Sequence, residues 1–400
     1  MGMAGFVVAL MIMIVVIISP CVYGEGSSDH QEIDVQKLLK RFNKRALKSI
    51  KSEDGDIIDC VLLTSQPAFD HPLLKNHTIQ MRPSFIPKSG SKYIKKKAKA
   101  ITQIWHKNGK CPGNTVPVRR TKKEDILRAQ AAVSFRKKTH QSIPEYKDPS
   151  LGHEYAIMNS RDGKFFGTGF TINVWNPNVQ EFREFSLAQT WLVSGEGPNL
   201  NSIEAGWQVS QQIYGDSNTR LFVFWTNNGY QGHLCYNLDC PDHGFVQTSN
   251  TFTVGGSLNP VSQYDGDQKE LSMLIWKDGD NWWLKIGEEP VGYWPSNLFT
   301  SLGGGATKVQ WGGEIVNKMT NGKHTTTGMR SGHFADEEFK KASYFKNIMI
   351  VDEANTLREP QGIFPFASND KCYSIKVGAS GTSWGSHFFY GGPGQNENCP

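Results

Sequence analysis

Two glutamates stand in sequence that would let a substrate come close. Glu204 lies in Ile203-Glu-Ala-Gly-Trp207, a period-2 strand pattern whose other members are apolar or small. Glu314 lies in Gln310-Trp-Gly-Gly-Glu-Ile-Val316, between two glycines and a β-branched pair. Glycine within a strand marks close approach by another backbone or a ligand, and the adjacent Trp lowers local polarity. Two carboxyls close together do not both ionise easily, so one pKa rises and the pair shares a proton. Such a pair can deprotonate a water and protonate a leaving group without a metal. The bland reading of each Glu is an outward-facing strand residue. Although far apart in the chain, the two could meet on one concave sheet face.

Other chemistry finds less support. Gly381-Thr-Ser383-Trp-Gly385 fits G-x-S-x-G, but a nucleophile elbow needs a strand-turn-helix and no helical pattern follows. The match is read as coincidence. H-E-x-x-H, the Walker loop and G-x-G-x-x-G are absent. Asp265-Gly-Asp267 lacks the remaining ligands of a calcium loop, and His243 near Cys240 reads as a loop residue. Neither metal nor cofactor is expected.

The elements that must carry the glutamates follow from composition. Among 400 residues, 40 Gly, 19 Pro, 11 Trp, 12 Tyr and 22 Phe indicate short strands and tight turns rather than a helical bundle. Charge divides the chain. Residues 25–150 hold 26 Lys+Arg against 13 Asp+Glu, whereas 151–400 hold 17 against 25 and ten of the eleven Trp. Within the acidic half, Leu271–Trp276 and Trp282–Ile286 flank a Gly-containing hairpin loop. Arg220–Thr226 and His153–Met158 read as strands, and Asp336–Ala342 as a short helix. Many short strands in one domain imply an all-β sandwich or closed barrel. Aromatics on both faces favour two packed sheets with a cleft.

The basic half reads as a small α/β domain. Val35, Leu38, Leu39, Phe42, Ala46 and Ile50 form one helical stripe, which predicts a helix docking on a partner domain. Thr121 and Glu124 form a capping box that starts a second helix through Ile126, Leu127 and Ala131. The Lys95–Lys99 run is read as a solvated or partner-facing surface rather than a nucleic-acid patch.

Residues 1–24 read as a signal peptide. Phe6–Ile18 is apolar but short for a span, and Pro20 ends it. The absence of Lys or Arg before it leaves a signal anchor as the alternative. Secretion suits the six remaining Cys, which fall as neighbours: Cys60 with Cys111, Cys235 with Cys240, Cys372 with Cys399. Fifteen connectivities are open; the division of the chain favours one bridge in the basic half and two in the acidic half, and the neighbour pairs are expected. No C-x2-C spacing supports zinc. Asn76-His77-Thr78 is a glycosylation sequon.

Longer strings carry a resemblance. Gln66–Ser84 and Cys111–Leu127 are similar to the two blocks of the activation peptide of plant neprosin-domain proteins. Ser202–Val209, Thr219–Phe222, Cys235–Cys240, Gly244–Gln247, Trp311–Ile315, Ser331–Phe334 and Phe389–Gly394 resemble successive blocks of the neprosin domain. The resemblance implies a sandwich of two antiparallel sheets and a glutamic endopeptidase that favours cleavage after proline at acid pH. It carries the catalytic role onto Glu204 and Glu314, and an active-site Gln and Trp onto Gln189 and Trp191. Two departures stand out: Asp242-His243 lengthen one segment, and Arg330 replaces a usual glycine.

The chain is therefore expected to be a secreted zymogen with a signal peptide over 1–24, an activation propeptide over 25–150 and a catalytic sandwich over 151–400. Its partners would be proline-containing peptides and its own propeptide, with no nucleic acid, no stable membrane association and a monomeric state. The destination is extracellular, cell wall or vacuole. The basic segment is expected to dock by charge over the cleft and loosen as Asp and Glu protonate near pH 4, with self-cleavage at Pro144-Glu145 or Pro149-Ser150. Two rivals stand beside this reading. A non-catalytic carbohydrate- or cell-wall-binding sandwich would use exposed aromatics, and a glycoside hydrolase would also use two carboxylates.

Overall fold

Alternating stretches in the acidic half pair into two main sheets, antiparallel throughout except for one added edge strand. The computed structural model describes residues 26–89, 101–131, 152–231, 235–240 and 243–400. The apolar leader, the Lys95–Lys99 run, Pro144, Pro149 and Asp242 lie outside the described residues.

One sheet has seven strands, in the order Cys235–Tyr236, Arg220–Thr226, Asn201–Val209, Ser186–Ser194, Lys308–Val316, His153–Asn159, Phe364–Ala367. Both glutamates lie in it. The ten-stranded sheet that packs against it is built around Asn281–Ile286, Glu270–Asp278, Gly167–Asn173 and Ser343–Val351. Asp278 pairs with Asn281 across the expected hairpin, whose Gly279 takes a φ of 58°. Trp207, Trp225, Trp282, Trp294 and Trp311 fill the core between the sheets, while Trp276 and Trp283 stack on the other face of the ten-stranded sheet, where Trp276 Nε1 donates to Phe85 O; each ring is no more than 1% exposed. Burial of one such ring contributes on the order of 3 kcal/mol, so this layer fixes how the sheets stack.

The basic half holds a second small core. Strands Ala46–Lys51, Ile57–Leu62 and Thr115–Arg119 make a three-stranded antiparallel sheet, and Ile50, Ile58, Trp105 and the Cys60–Cys111 bridge pack together. The expected helical stripe ends early, because the helix Gly26–Phe42 stops and Ala46 and Ile50 enter a strand. Asn43 redirects the chain: its side chain donates to Thr121 O at 2.8 Å and accepts from Thr121 N at 2.9 Å. Ile50 then pairs with Ile58. The second helix, Lys123–Ala131, does follow, with Asp125 accepting from the Lys122 amide at 2.9 Å. The first helix packs on the second through Val35, Phe42 and Ile126, within the basic half rather than on the sandwich.

The two halves are joined by strand pairing and amides rather than by opposed surface charge. Lys88–Ser89 adds to the ten-stranded sheet, parallel to Thr356–Arg358, and Thr102–Gln103 pairs with Leu258–Asn259. Gln66 brackets Gln247, donating to its carbonyl at 3.0 Å and accepting from its amide at 2.7 Å. Gln103 does the same for Thr253, at 2.7 and 2.8 Å.

Three further expectations meet the structure. Asp336–Ala342 is not a helix; one 3-10 turn spans Ala335–Glu337, and Glu338 and Lys340 then adopt left-handed φ values of 54° and 74°. Gly381–Gly385 is a surface turn with no helix after it. The bridges are Cys60–Cys111, Cys235–Cys240 and Cys372–Cys399. Asn76 is exposed.

Candidate active site

Directly paired residues of an antiparallel sheet point to the same face, so the register maps the site. One row across five strands reads Phe224, Glu204, Trp191, Gln310, Asn159. Two residues along, the next row reads Phe222, Gly206, Gln189, Gly312, Ile157, and the third reads Arg220, Gln208, Leu187, Glu314, Tyr155. Glu204, Trp191, Gln189 and Glu314 therefore share the face turned away from the ten-stranded sheet. All four are at most 1% exposed.

The middle row is low beside Gln189 because its neighbours on both sides are glycine. A Cβ on Gly206 would lie 1.7 Å from Ala188 O, and one on Gly312, whose φ is 148°, would lie 2.4 Å from Ala156 O. Neither position accepts a side chain. Gln189 thus stands alone in a trough, with Glu204 on one bank and Glu314 on the other.

Each carboxyl has its own partners. Glu204 Oε1 accepts from Ser202 Oγ at 2.9 Å and from Tyr230 Oη at 2.8 Å. Glu314 Oε1 lies 2.6 Å from His153 Nδ1 and 3.3 Å from Tyr155 Oη, and its Oε2 accepts from Gln189 Nε2 at 3.4 Å. His153 stacks on Tyr155 with centroids 6.5 Å apart and meets Phe185 edge-on. Among the described residues the two carboxyls do not hydrogen-bond each other. The expectation of one directly shared proton is corrected: the strand between them and the four-residue offset in register hold the acids apart.

One donor and one acceptor are left over at the centre. Trp191 Nε1 and Gln189 Oε1 are buried and have no hydrogen-bond partner among the described residues. A buried polar group without a partner is unfavourable, and these two sit beside the carboxyls. Trp207 and Trp311, expected to lower the polarity around the glutamates, face the opposite way: Trp207 Nε1 donates to Asn173 O and Trp311 Nε1 to Thr168 Oγ1, both at 2.9 Å. The indole on the glutamate face is that of Trp191.

Arg330 lies behind the sheet. It is fully buried at φ 67°, donates from Nη2 to Gly312 O at 3.1 Å, and sits over Trp207 and Tyr390 at 5.0 and 5.6 Å. Burial pushes its pKa down to about 10, so it remains a cation at neutral and acid pH. Its left-handed φ is the physical reason a glycine would be at home here. It packs under the strand of Glu314 rather than entering the trough. His243 is a buried loop residue, and burial first, then His71 and Lys44, push its pKa down to about 3.

Sequence reasoning missed His153, Tyr155, Tyr230 and Ser202. The alternation around Glu204 already assigned Ser202 to its face. Nothing local marks His153 or Tyr230, which arrive through strand pairing and a loop. His324, Cys372 and Cys399 offer ligand atoms to one point, but the two cysteines form a disulfide and are not free to bind a metal.

Residues 182–393 match the family model described as Neprosin, and residues 49–159 match that of the Neprosin activation peptide. The chain belongs to the Neprosin family. That membership supports a glutamic-type peptidase made with its activation peptide. Among solved structures, the chain is similar to Scytalido-glutamic peptidase bound to a peptide-based transition state analog, with 13% identity, 60% of this chain and 98% of that chain covered, and a TM-score of 0.33. SCP-B, a member of the Eqolisin family of peptidases in complex with the tripeptide Ala-Ile-His, matches at 11% identity over 60% of this chain and 96% of that one, with a TM-score of 0.31. CG-16, a homodimeric agglutinin from chicken liver, matches at 12% identity over 40% and 92%, with a TM-score of 0.21.

Proposed function

We propose that this protein is the secreted zymogen of a glutamic endopeptidase that cleaves peptides after proline at acid pH, with Glu204 and Glu314 as its catalytic acids. The observation that carries the reading is the burial of both glutamates on one sheet face, flanking Gln189 and Trp191.

The partner sets divide the roles. Glu314 faces a ring nitrogen of His153 and an amide N–H of Gln189, groups that donate to a carboxylate, so it is the base that takes a proton from the attacking water. Glu204 faces two hydroxyls, which accept from a carboxylic acid as readily as they donate to a carboxylate. Glu204 in its protonated form then polarises the scissile carbonyl and delivers a proton to the leaving nitrogen. The free Nε1–H of Trp191 and the second N–H of Gln189 stand ready for the oxygen that gains charge in the tetrahedral intermediate. The activation segment over residues 25–150 keeps the enzyme inactive until the junction is cut.

The test uses full-length protein, acidified and offered proline-containing peptides. Glu204→Gln and Glu314→Gln should each lower turnover by at least about a thousandfold, because an amide neither takes nor gives the proton. Near-wild-type cleavage by either folded variant would refute the assignment. Strong inhibition by a chelator would move the chemistry to a metal.

A further inference from the structure

Four buried polar atoms on the glutamate face lack a hydrogen-bond partner among the described residues: Gln189 Oε1, Trp191 Nε1, Gln208 Nε2 and Gln310 Oε1. Gln208 is the informative one, because its amide oxygen has a partner and its amide nitrogen has none. The backbone N–H of Val223 donates to Asn237 Oδ1 at 3.2 Å. A backbone amide donates and cannot accept, so the other arm of Asn237 is its Nδ2, which donates to Tyr214 Oη at 3.1 Å. Tyr214 Oη in turn donates to Gln208 Oε1, at a long 3.5 Å. Two N–H donors of Gln208 Nε2 are left without an acceptor in a side chain that is 0% exposed.

Position gives those donors a use. Gln208 pairs with Leu187, and Leu187 pairs with Glu314, so Gln208 is level with Glu314 across one strand. Their Cα atoms stand about 10 Å apart at the usual strand spacing. An extended peptide covers that distance in about three residues. Gln208 also follows Glu204 on the same strand and the same face.

We propose that Gln208 is a substrate-positioning residue whose Nε2 donates to a main-chain carbonyl of the bound peptide about three residues from the scissile bond. The proposal rests on the glutamic peptidase reading and extends it to how the substrate is held. It makes the protein prefer long peptides, because a short one ends before reaching Gln208.

The test compares a proline-containing decapeptide with a tetrapeptide, using acid-matured full-length protein. Gln208→Met keeps the length of the side chain and removes both donors. It should raise KM for the decapeptide about fivefold to tenfold, the effect of one hydrogen bond, leave kcat within about twofold and leave the tetrapeptide unchanged. Tyr214→Phe keeps the packing but frees the Gln208 amide to turn, and should raise the same KM by about threefold. Decapeptide binding to Glu204→Gln protein, its activation segment removed by an added protease, should weaken by the same factor when Gln208→Met is added. That measurement needs no turnover. Unchanged KM and Kd for the decapeptide overturn the proposal, as does an equal loss on both peptides, which marks a structural role. Absent cleavage by wild type with the Kd ratio intact overturns the peptidase reading and supports Gln208 as a peptide-binding group.

Discussion

Arg220 of the glutamate sheet donates through Nη1 to Asp56 of the activation segment at 2.5 Å, and both side chains are buried. The cation of this cross-interface pair belongs to the acidic half of the chain and the anion to the basic half, opposite to what the overall charges imply. Burial alone would pull the Arg220 pKa down. Hydrogen bonds and charge from Asp216 and Asp56 outweigh it and hold the guanidinium above its ordinary value.

Asp56→Asn should therefore loosen the activation segment. Asp216 still faces Arg220, so the expected loss is about 3 kcal/mol, at the lower end for breaking a buried pair. Thermal unfolding at neutral pH and the rate of segment removal by an added protease would measure it. High salt should have little effect on the wild type, since a sealed pair is weakly screened.

Acid should act first through histidines. Tyr293 Oη accepts from Gln80 N at 3.0 Å and lies 2.8 Å from His77 Nε2, which accepts the tyrosine proton when the ring is neutral and that nitrogen is bare. His106 Nε2 lies 2.6 Å from Thr251 O, where it must donate, and its Nδ1 accepts from Gln103 N at 3.4 Å. Burial pushes the pKa of both below the usual 6.5. The docked segment thus binds fewer protons than a released one once pH falls below 6.5. Docking strength is full above that value and declines as pH drops towards the depressed folded values. Release should begin well above the carboxylate range near 4. His77→Gln keeps an acceptor for Tyr293 and cannot be protonated, so limited proteolysis of the segment should start at lower pH than in wild type. An identical pH profile would remove His77 from the mechanism.

Trp191→Phe separates the donor from the ring. Phenylalanine keeps most of the packing and lacks Nε1–H, so kcat should fall about tenfold while Tm changes by a few degrees at most. A loss confined to Tm would mean that the indole serves packing alone.

The trough should not tolerate a methyl group. Gly206→Ala drives its Cβ into the Ala188 carbonyl, and Gly312→Ala meets the Ala156 carbonyl. Backbone cannot step aside as a flexible side chain can, so each should cost about 3 kcal/mol or more. Denaturant titration would show it, with loss of activity following the loss of fold.

Much of this was written locally. The alternation Ile203-Glu204-Ala205-Gly206-Trp207 commits Glu204 and Trp207 to opposite faces of any strand they occupy. Lys277–Asn281 specifies its hairpin through Gly279 at positive φ. The long strings around Glu204, Glu314 and the activation segment pointed to a family that the whole-domain match establishes. Side-chain period and turn chemistry act over a few residues, so a reader of the chain can recover them.

Register and neighbours belong to another scale. That Ser186–Ser194 lies between the two glutamate strands, four residues out of step, is decided by one pairing to the next strand, Asn201–Val209, and one to Lys308–Val316, more than a hundred positions away. That choice turned an expected shared proton into two separate acids. It also brought His153 to Glu314, and a loop brought Tyr230 to Glu204. The reversed charge pair of Arg220 and Asp56 arises the same way. Composition sums charge over a half of the chain, whereas a buried contact depends on which two side chains the packed sheets leave facing each other.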